Sequence, residues 1–287
     1  MFKLKFAKTY DFAIMLKHNL EHVTEDYFSV SDNAFCVADG ITRDLKDGTP
    51  IAYPETYEQA IELIKKYPNP SGATAAAKTC AEGFVSLASS LSTISEITNS
   101  HIIDILKTVN SEIGLLNKNR KIDYLANDRY ACVAVGGVFI NNKLLCFSIG
   151  DSVIRILDEN YNIIFDSSTT NIVLAPYKPS LFVKLRYGTW SWSNDNYRKF
   201  WRKKIRNNTW RLYNRKYTFG ALTGEKKAIP FIRTYSINLD NAKYILAFSD
   251  GCIECLNTKE QMISIIANPE QIKEELHEKT LLIYEKE

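Results

Sequence analysis

Three short apolar runs in this chain end at an aspartate with a glycine beside it. They cover residues 37–40, 148–152 and 247–251, and their aspartates are Asp39, Asp151 and Asp250. A short apolar run is typical of a buried strand, so each aspartate is predicted to lie at the edge of a sheet. A single Asp-Gly pair is most often a surface turn. Three of them, distributed over most of the chain, instead predict a hard-cation site that the fold assembles.

The composition is that of a globular protein. Hydrophobic residues make up 45% and charged residues 24% of the 287 positions, which argues against general disorder. The first residues alternate apolar and basic side chains, and no apolar run has the length of a signal peptide core or a membrane span. We therefore predict one domain over residues 1–287, in the cytoplasm and without a membrane partner. The net charge of +3 does not by itself indicate nucleic acid, and nothing indicates the oligomeric state.

The order of predicted elements indicates the fold class. Two strands precede two long helices, and the later part of the chain is rich in strands with helices near its end. Residues 131–165 predict an antiparallel meander, and residues 232–239 and 244–248 a hairpin that ends at Asp250. Predicted helices occupy residues 75–91, 97–116, 259–267 and 270–276, and a last strand 280–284. This order predicts an α+β fold, a four-layer α-β-β-α sandwich of two mainly antiparallel sheets flanked by helices.

Five motifs, taken in order, resemble the metal-dependent type 2C serine/threonine protein phosphatases (PPM-type phosphatases). They are Thr-Glu-Asp-Tyr-Phe at 24–28, Val-Ala-Asp-Gly at 37–40, Gly-Asp-Ser at 150–152, Phe-Gly-Ala-Leu-Thr-Gly at 219–224 and Ser-Asp-Gly at 249–251. The resemblance extends from about residue 24 to residue 284, and the family's α-β-β-α sandwich agrees with the fold predicted above. It implies an Mn²⁺- or Mg²⁺-dependent hydrolase that uses metal-activated water on phosphoserine or phosphothreonine in a phosphorylated protein.

The resemblance also implies a centre of two metal ions, with a weaker third ion. Asp39 would bridge the first two ions, and the carbonyl oxygen of Gly40 would bind one of them. The other implied ligands are Asp250 for the first ion, Glu25 and Asp26 for the second, directly or through water, and Asp151 for the third. Converging carboxylates repel one another unless cations lie between them, which independently supports these residue types.

The chain departs from the family pattern at several positions, among them Ile41, where some members have a histidine after Asp-Gly. The family often has a phosphate-binding arginine five residues before the aspartate of the Glu-Asp pair, where this chain has Glu21; Arg43 and His22 are the remaining candidates for substrate contact. In the closing motif His277 aligns with the expected aspartate, and Glu278 follows it. Because neighbours in a strand point to opposite faces, only one of these two is expected to bind metal. A catalytically weak or inactive binding or regulatory module is therefore the alternative function.

A basic segment gives the chain its steepest charge asymmetry. Residues 198–216 contain nine Lys and Arg residues and no acidic residue, and Trp201, Trp210, Tyr213 and Tyr217 are interleaved with them. We predict a basic flap at about residues 168–217, beside the catalytic edge, that attracts an acidic phosphoprotein. A solvated surface with buried aromatic residues is the second interpretation. Binding of single-stranded nucleic acid is the least favoured.

Overall fold

Two five-stranded antiparallel sheets form the centre of the computed structural model, which describes residues 1–22, 24–41, 54–69, 71–93, 97–124, 127–170, 195–212, 215–274 and 276–287. The strands are β1 (Phe2–Tyr10), β2 (Tyr27–Val30), β3 (Ala34–Gly40), β4 (Cys132–Ile140), β5 (Lys143–Ile149), β6 (Val153–Leu157), β7 (Ile163–Asp166), β8 (Trp210–Leu212), β9 (Arg215–Tyr217), β10 (Arg233–Asn238), β11 (Tyr244–Phe248) and β12 (Lys279–Lys286). Sheet A has the order β1-β12-β11-β6-β7 and sheet B the order β10-β5-β4-β3-β2. Strands β8 and β9 form a separate hairpin.

Helices cover the outer faces of both sheets. They are α1 (Ala13–Lys17), α2 (Tyr57–Lys66), α3 (Gly72–Ser89), α4 (Asn99–Leu116), α5 (Asp195–Lys204) and α6 (Lys259–Ala267). One hydrophobic cluster lies between the sheets, a second joins α3 and α4 to sheet B, and a third joins α6 to sheet A. This arrangement confirms the predicted four-layer α-β-β-α sandwich. Within the described ranges, no helix combines the length and apolar character that a membrane span requires.

Local sequence signals explain where the helices begin. The Ser71 hydroxyl accepts the backbone N–H of Ala73 at 3.2 Å and so caps the start of α3. Thr56 and Gln59 form a reciprocal capping box at the start of α2. The buried face of α3 consists largely of alanine, which allows the helix to pack closely on sheet B. Capping at Ser71 also fixes the helix end that lies next to the candidate site.

Two strand pairings differ from those predicted. The predicted meander is divided between the sheets, since β4 pairs with β5 in sheet B whereas β6 pairs with β7 in sheet A. The predicted hairpin of β10 and β11 is wrong, because β10 pairs with β5 and β11 with β12 and β6. The chain crosses between sheets at Gly150, whose φ is +84° and where a Cβ atom would lie 2.1 Å from the Val133 side chain. The predicted helix at 270–276 is a 3₁₀ segment, Pro269–Glu274.

Candidate active site at one edge of the sandwich

The strand register brings the three predicted aspartates to one edge of the molecule. In sheet B, Asp39 pairs with Val133, and the next residue of β4 pairs with Ile149 at the end of β5. In sheet A, Phe248 pairs with Val153 and with Leu281, so β11 ends where β6 and β12 begin. Asp151 lies in the connection from β5 to β6 and therefore joins the two sheets. We call Asp39, Asp151 and Asp250 the aspartate edge.

Two carboxylates of the aspartate edge, those of Asp151 and Asp250, are near enough to interact electrostatically. Asp250 is exposed, and Asp39 and Asp151 are half-buried. Burial, together with the nearby Asp250 carboxylate, raises the pKa of Asp151 to about 7. A bound cation would favour the ionised form of Asp151 and so relieve this effect. The donor set at this edge, carboxylate oxygens and a backbone carbonyl at Gly40, suits Mn²⁺ or Mg²⁺.

A second acidic group, the glutamate cluster of Glu25, Asp26 and Glu278, lies immediately before β2 and β12. Glu278 Oε1 accepts the backbone N–H groups of Glu25 and of Asp26, the latter at 2.9 Å. The Ser249 hydroxyl donates to Asp26 Oδ2 at 2.5 Å and accepts the N–H of Thr280 at 2.9 Å. All three acidic residues are almost completely buried. Protein donors thus stabilise this cluster and tie the start of sheet B to the ends of two strands of sheet A.

Two hydroxyl groups hold the side chain of Glu25. Tyr67 at the end of α2 and Ser71 before α3 both donate to Glu25 Oε1, the serine at 2.8 Å. Gly40 completes this side of the site, since its N–H donates to the Glu25 carbonyl at 3.2 Å. A Cβ atom on Gly40 would lie 2.7 Å from the carbonyl carbon of Ala73, so only glycine allows β3 to end this close to α3.

The remaining predicted site residues lie in different surroundings. The His22 side chain is only 2% exposed, bonds Asp11 Oδ1 through Nδ1 at 3.2 Å and packs edge-on against Tyr67. This position favours a supporting role for His22 over contact with substrate. His277 is half-buried beside Glu278. Arg43 lies outside the described residues.

The observed residues fit a metal ion only in part. Among the described residues, no group of three or more His, Cys, Asp or Glu side chains has the arrangement of a metal site. At the aspartate edge, the neighbouring Asp151 and Asp250 carboxylates have the chemistry of hard-cation ligands, and a cation would relieve the effect of Asp250 on Asp151. In the glutamate cluster, Oε1 of Glu25 and Oε1 of Glu278 each accept two hydrogen bonds from the protein, whereas Oε2 of Glu25 is buried and accepts no hydrogen bond from the described part of the chain.

Solved structures share this fold over the whole chain. The Mycobacterium tuberculosis serine/threonine phosphatase PstP superimposes with a TM-score of 0.56 at 12% identity, covering 100% of this chain and 99% of that chain. Serine/threonine phosphatase Stp1 from Staphylococcus aureus gives 0.55 at 11% identity, with coverage of 100% and 94%. PppA, a regulatory component of T6SS in Pseudomonas aeruginosa, gives 0.54 at 11% identity, with coverage of 99% and 97%. The chain has the fold of the type 2C phosphatases. No protein-family model and no curated protein sequence matches it.

On this phosphatase fold, part of the predicted basic flap is internal. Arg202 and Arg206 are buried, and both pair with the Asp128 carboxylate, Arg202 Nε at 2.9 Å and Arg206 through both terminal nitrogens. These two arginines therefore contribute to the packing of α5, and a basic flap at about residues 168–217 stays a prediction. Lys199, Lys203 and Lys204 on α5 are exposed. In the described part of this segment, buried ion pairs anchor the end of α5, and three lysines of α5 are exposed.

Several residues of the site carried no clear signal in the sequence. Tyr67, Ser249 and Asp128 act through partners that are distant along the chain. Ser71 was recognisable only as a helix cap. Lys279, which follows Glu278, is completely buried although a lysine is rarely so in proteins.

Proposed function

We propose that this chain is a metal-dependent phosphatase that hydrolyses phosphoserine or phosphothreonine esters in proteins. The observation that carries the proposal is the meeting of Asp39, Asp151 and Asp250 at one edge of a type 2C phosphatase fold. Two of the similar structures described above are serine/threonine phosphatases, which supports the substrate class. The cytoplasm remains the location that the sequence predicts.

The aspartate edge and the carbonyl of Gly40 would hold Mn²⁺ or Mg²⁺. When bound, such ions supply Lewis acidity and lower the pKa of water. Asp39 and Asp250 contribute the negative charge that retains the cations, and Asp151 gives up the proton that it holds near neutral pH. The glutamate cluster fixes the backbone before β2, and Gly40 is fixed in turn through its hydrogen bond to the Glu25 carbonyl.

The direct test is hydrolysis of a chromogenic phosphate ester and of a phosphoserine peptide by the purified chain. We expect turnover with Mn²⁺ or Mg²⁺ and none with a chelator. Calorimetric titration with Mn²⁺ on the same preparation measures binding independently of turnover. Ester hydrolysis that is unchanged by chelator would contradict the proposal.

A second candidate is a binding or regulatory module with this fold and little or no turnover. It is favoured by one specific observation, the hydrogen bonds through which Glu25 and Glu278 serve the protein itself. The absence of the phosphate-binding arginine at position 21 agrees with it. Metal binding without hydrolysis of either substrate would support this candidate over the first.

A further inference from the structure

The positive charge of this chain is concentrated in one stretch. Between Asp166 and Glu225 the sequence contains twelve Lys and Arg residues and a single acidic residue, Asp195, although the whole chain carries a net charge of only +3. The rest of the chain is therefore net acidic. A cluster of positive charges on a protein surface creates a positive electrostatic potential, which attracts negatively charged partners.

The structure separates the internal cations of this stretch from the external ones. Arg202 and Arg206 are buried and share the Asp128 carboxylate as their partner inside the protein. Among the side chains of α5 that the structure describes, the exposed cations are Lys199, Lys203 and Lys204, which we call the lysine row. Among the described residues, none of the three has a carboxylate partner. Lys199 and Lys203 are four residues apart on one helix face, a spacing at which like charges repel and destabilise the helix. The lysine row is thus positioned to receive an anion from outside.

The helix that carries the lysine row is fixed beside the aspartate edge. Phe200 and Trp201 pack on the cluster that contains Val133, the residue opposite Asp39. Ile41, which follows Gly40, packs on the same cluster. If the phosphate of a bound peptide lies at the aspartate edge, the residues that flank the phosphorylated residue would therefore lie near the lysine row.

The two aromatic side chains of α5 that the structure describes, Phe200 and Trp201, do not favour nucleic acid as the partner. Stacking on bases needs exposed ring faces. Trp201 is half-buried and packs against Phe219 with ring centroids 4.8 Å apart, and Phe200 is also half-buried. These two rings support the core, which leaves the lysines as the exposed feature of this helix face.

We propose that the lysine row binds acidic residues next to the phosphorylated serine or threonine, so that the enzyme prefers phosphoproteins with acidic flanking sequences. This inference rests on the proposed function and adds a substrate class to it. The contact is electrostatic and exposed, so its strength falls as salt rises.

The test compares the wild-type chain with the triple variant Lys199→Glu, Lys203→Glu and Lys204→Glu. Two fluorescent phosphoserine peptides are used, one with acidic and one with basic flanking residues. The affinity for each peptide is measured by fluorescence anisotropy, and its hydrolysis is measured in the presence of Mn²⁺. For the acidic peptide at 50 mM salt we expect about a tenfold loss of affinity and of kcat/KM, as three surface ion pairs would produce. The loss should shrink at 500 mM salt, and hydrolysis of a small ester should remain unchanged.

The matched control reverses three exposed lysines on other elements, Lys107, Lys143 and Lys259, and so changes the net charge equally. We expect this control to bind the acidic peptide within twofold of wild type. Three results would overturn the proposal: an equal loss of affinity in both triple variants, an equal loss for both peptides, or no loss of affinity at all. Tighter, lysine-row-dependent binding of a single-stranded oligonucleotide than of the acidic peptide would also overturn it.

The binding measurement separates this proposal from the proposed function. If the chain hydrolyses neither ester nor peptide but binds the acidic peptide through the lysine row, the phosphatase assignment fails and the docking surface stands. If it hydrolyses the ester while the triple variant binds both peptides like wild type, the phosphatase stands and the docking surface fails.

Discussion

The glutamate cluster and the aspartate edge differ in how the protein surrounds their carboxylates. In the glutamate cluster the carboxylates are buried, and hydroxyl or backbone N–H groups donate to them. In the aspartate edge, Asp250 and burial raise the pKa of Asp151 to about 7. Hydrogen bonds stabilise the charged form of a carboxylate, whereas burial and a like charge disfavour it. We therefore expect the first group to support the fold and the second to receive a ligand.

The largest effect is expected from the aspartate edge. Asp39→Asn and Asp250→Asn keep the side-chain size but remove a charge that a divalent cation requires. We expect each variant to lose at least about a hundredfold in Mn²⁺-dependent ester hydrolysis, with Mn²⁺ affinity falling in parallel. The free energy of unfolding, measured by urea without metal, should remain within about 1 kcal/mol of wild type for the exposed Asp250. Wild-type activity of Asp39→Asn at saturating Mn²⁺ would exclude a metal role for this edge.

Glu278→Ala is expected to act on stability instead of metal binding. It removes the charged acceptor of two buried backbone N–H groups, a change that costs about 2–4 kcal/mol of unfolding free energy. The loss should be equal with and without Mn²⁺ in urea denaturation. Glu278→Gln, which keeps an acceptor oxygen, serves as the matched control and should lose less. If either variant is as stable as wild type without metal but fails to bind Mn²⁺, then Glu278 is a ligand and the comparison is wrong.

Asp151→Asn should stabilise the metal-free protein near neutral pH. The pKa of Asp151 is raised from its ordinary 3.8 to about 7. Between these values the folded chain holds a proton that the unfolded chain has released, so its stability falls as pH rises toward 7. The neutral amide removes this loss, on the order of 1–2 kcal/mol between pH 5 and pH 7. Chemical denaturation of both proteins at the two pH values measures the difference. Parallel pH dependence in wild type and variant would show that Asp151 ionises normally.

The smallest effect is expected from Tyr67→Phe. The change removes one of the two hydroxyl donors to Glu25 Oε1 and leaves the packing against His22 in place. We expect a loss of about 1 kcal/mol in unfolding free energy. The Mn²⁺ affinity measured by calorimetry should change less than twofold. A many-fold gain in Mn²⁺ affinity would show that the tyrosine competes with a cation for Glu25, which would move the glutamate cluster into the metal site.

Most of the elements were predictable because their signals are local. The helical spacing of apolar residues in α3 and α4 and the short apolar runs of β4, β5 and β6 indicate their type without knowledge of partners. The three aspartates followed from the same runs, since a buried strand must end at a sheet edge. The four-layer arrangement followed from the order of these elements.

Strand pairing and the use of individual charges were not predictable in this way. The step between sheets at Gly150 depends on contact with Val133, and β10 and β11 diverge although they are neighbours in sequence. Arg202 and Lys203 are adjacent residues of the same chemical type, yet one is buried against Asp128 and the other is exposed.

The sequence alone therefore determined the type of most strands and helices and which aspartates follow a buried strand. Only the tertiary structure decided which carboxylates receive protein donors and which remain crowded, as Glu278 and Asp151 show. The physical reason is the distance along the chain over which each effect acts. Periodicity acts between residues a few positions apart, whereas the pKa of a carboxylate and the partner of an arginine depend on groups that the fold brings from distant parts of the chain.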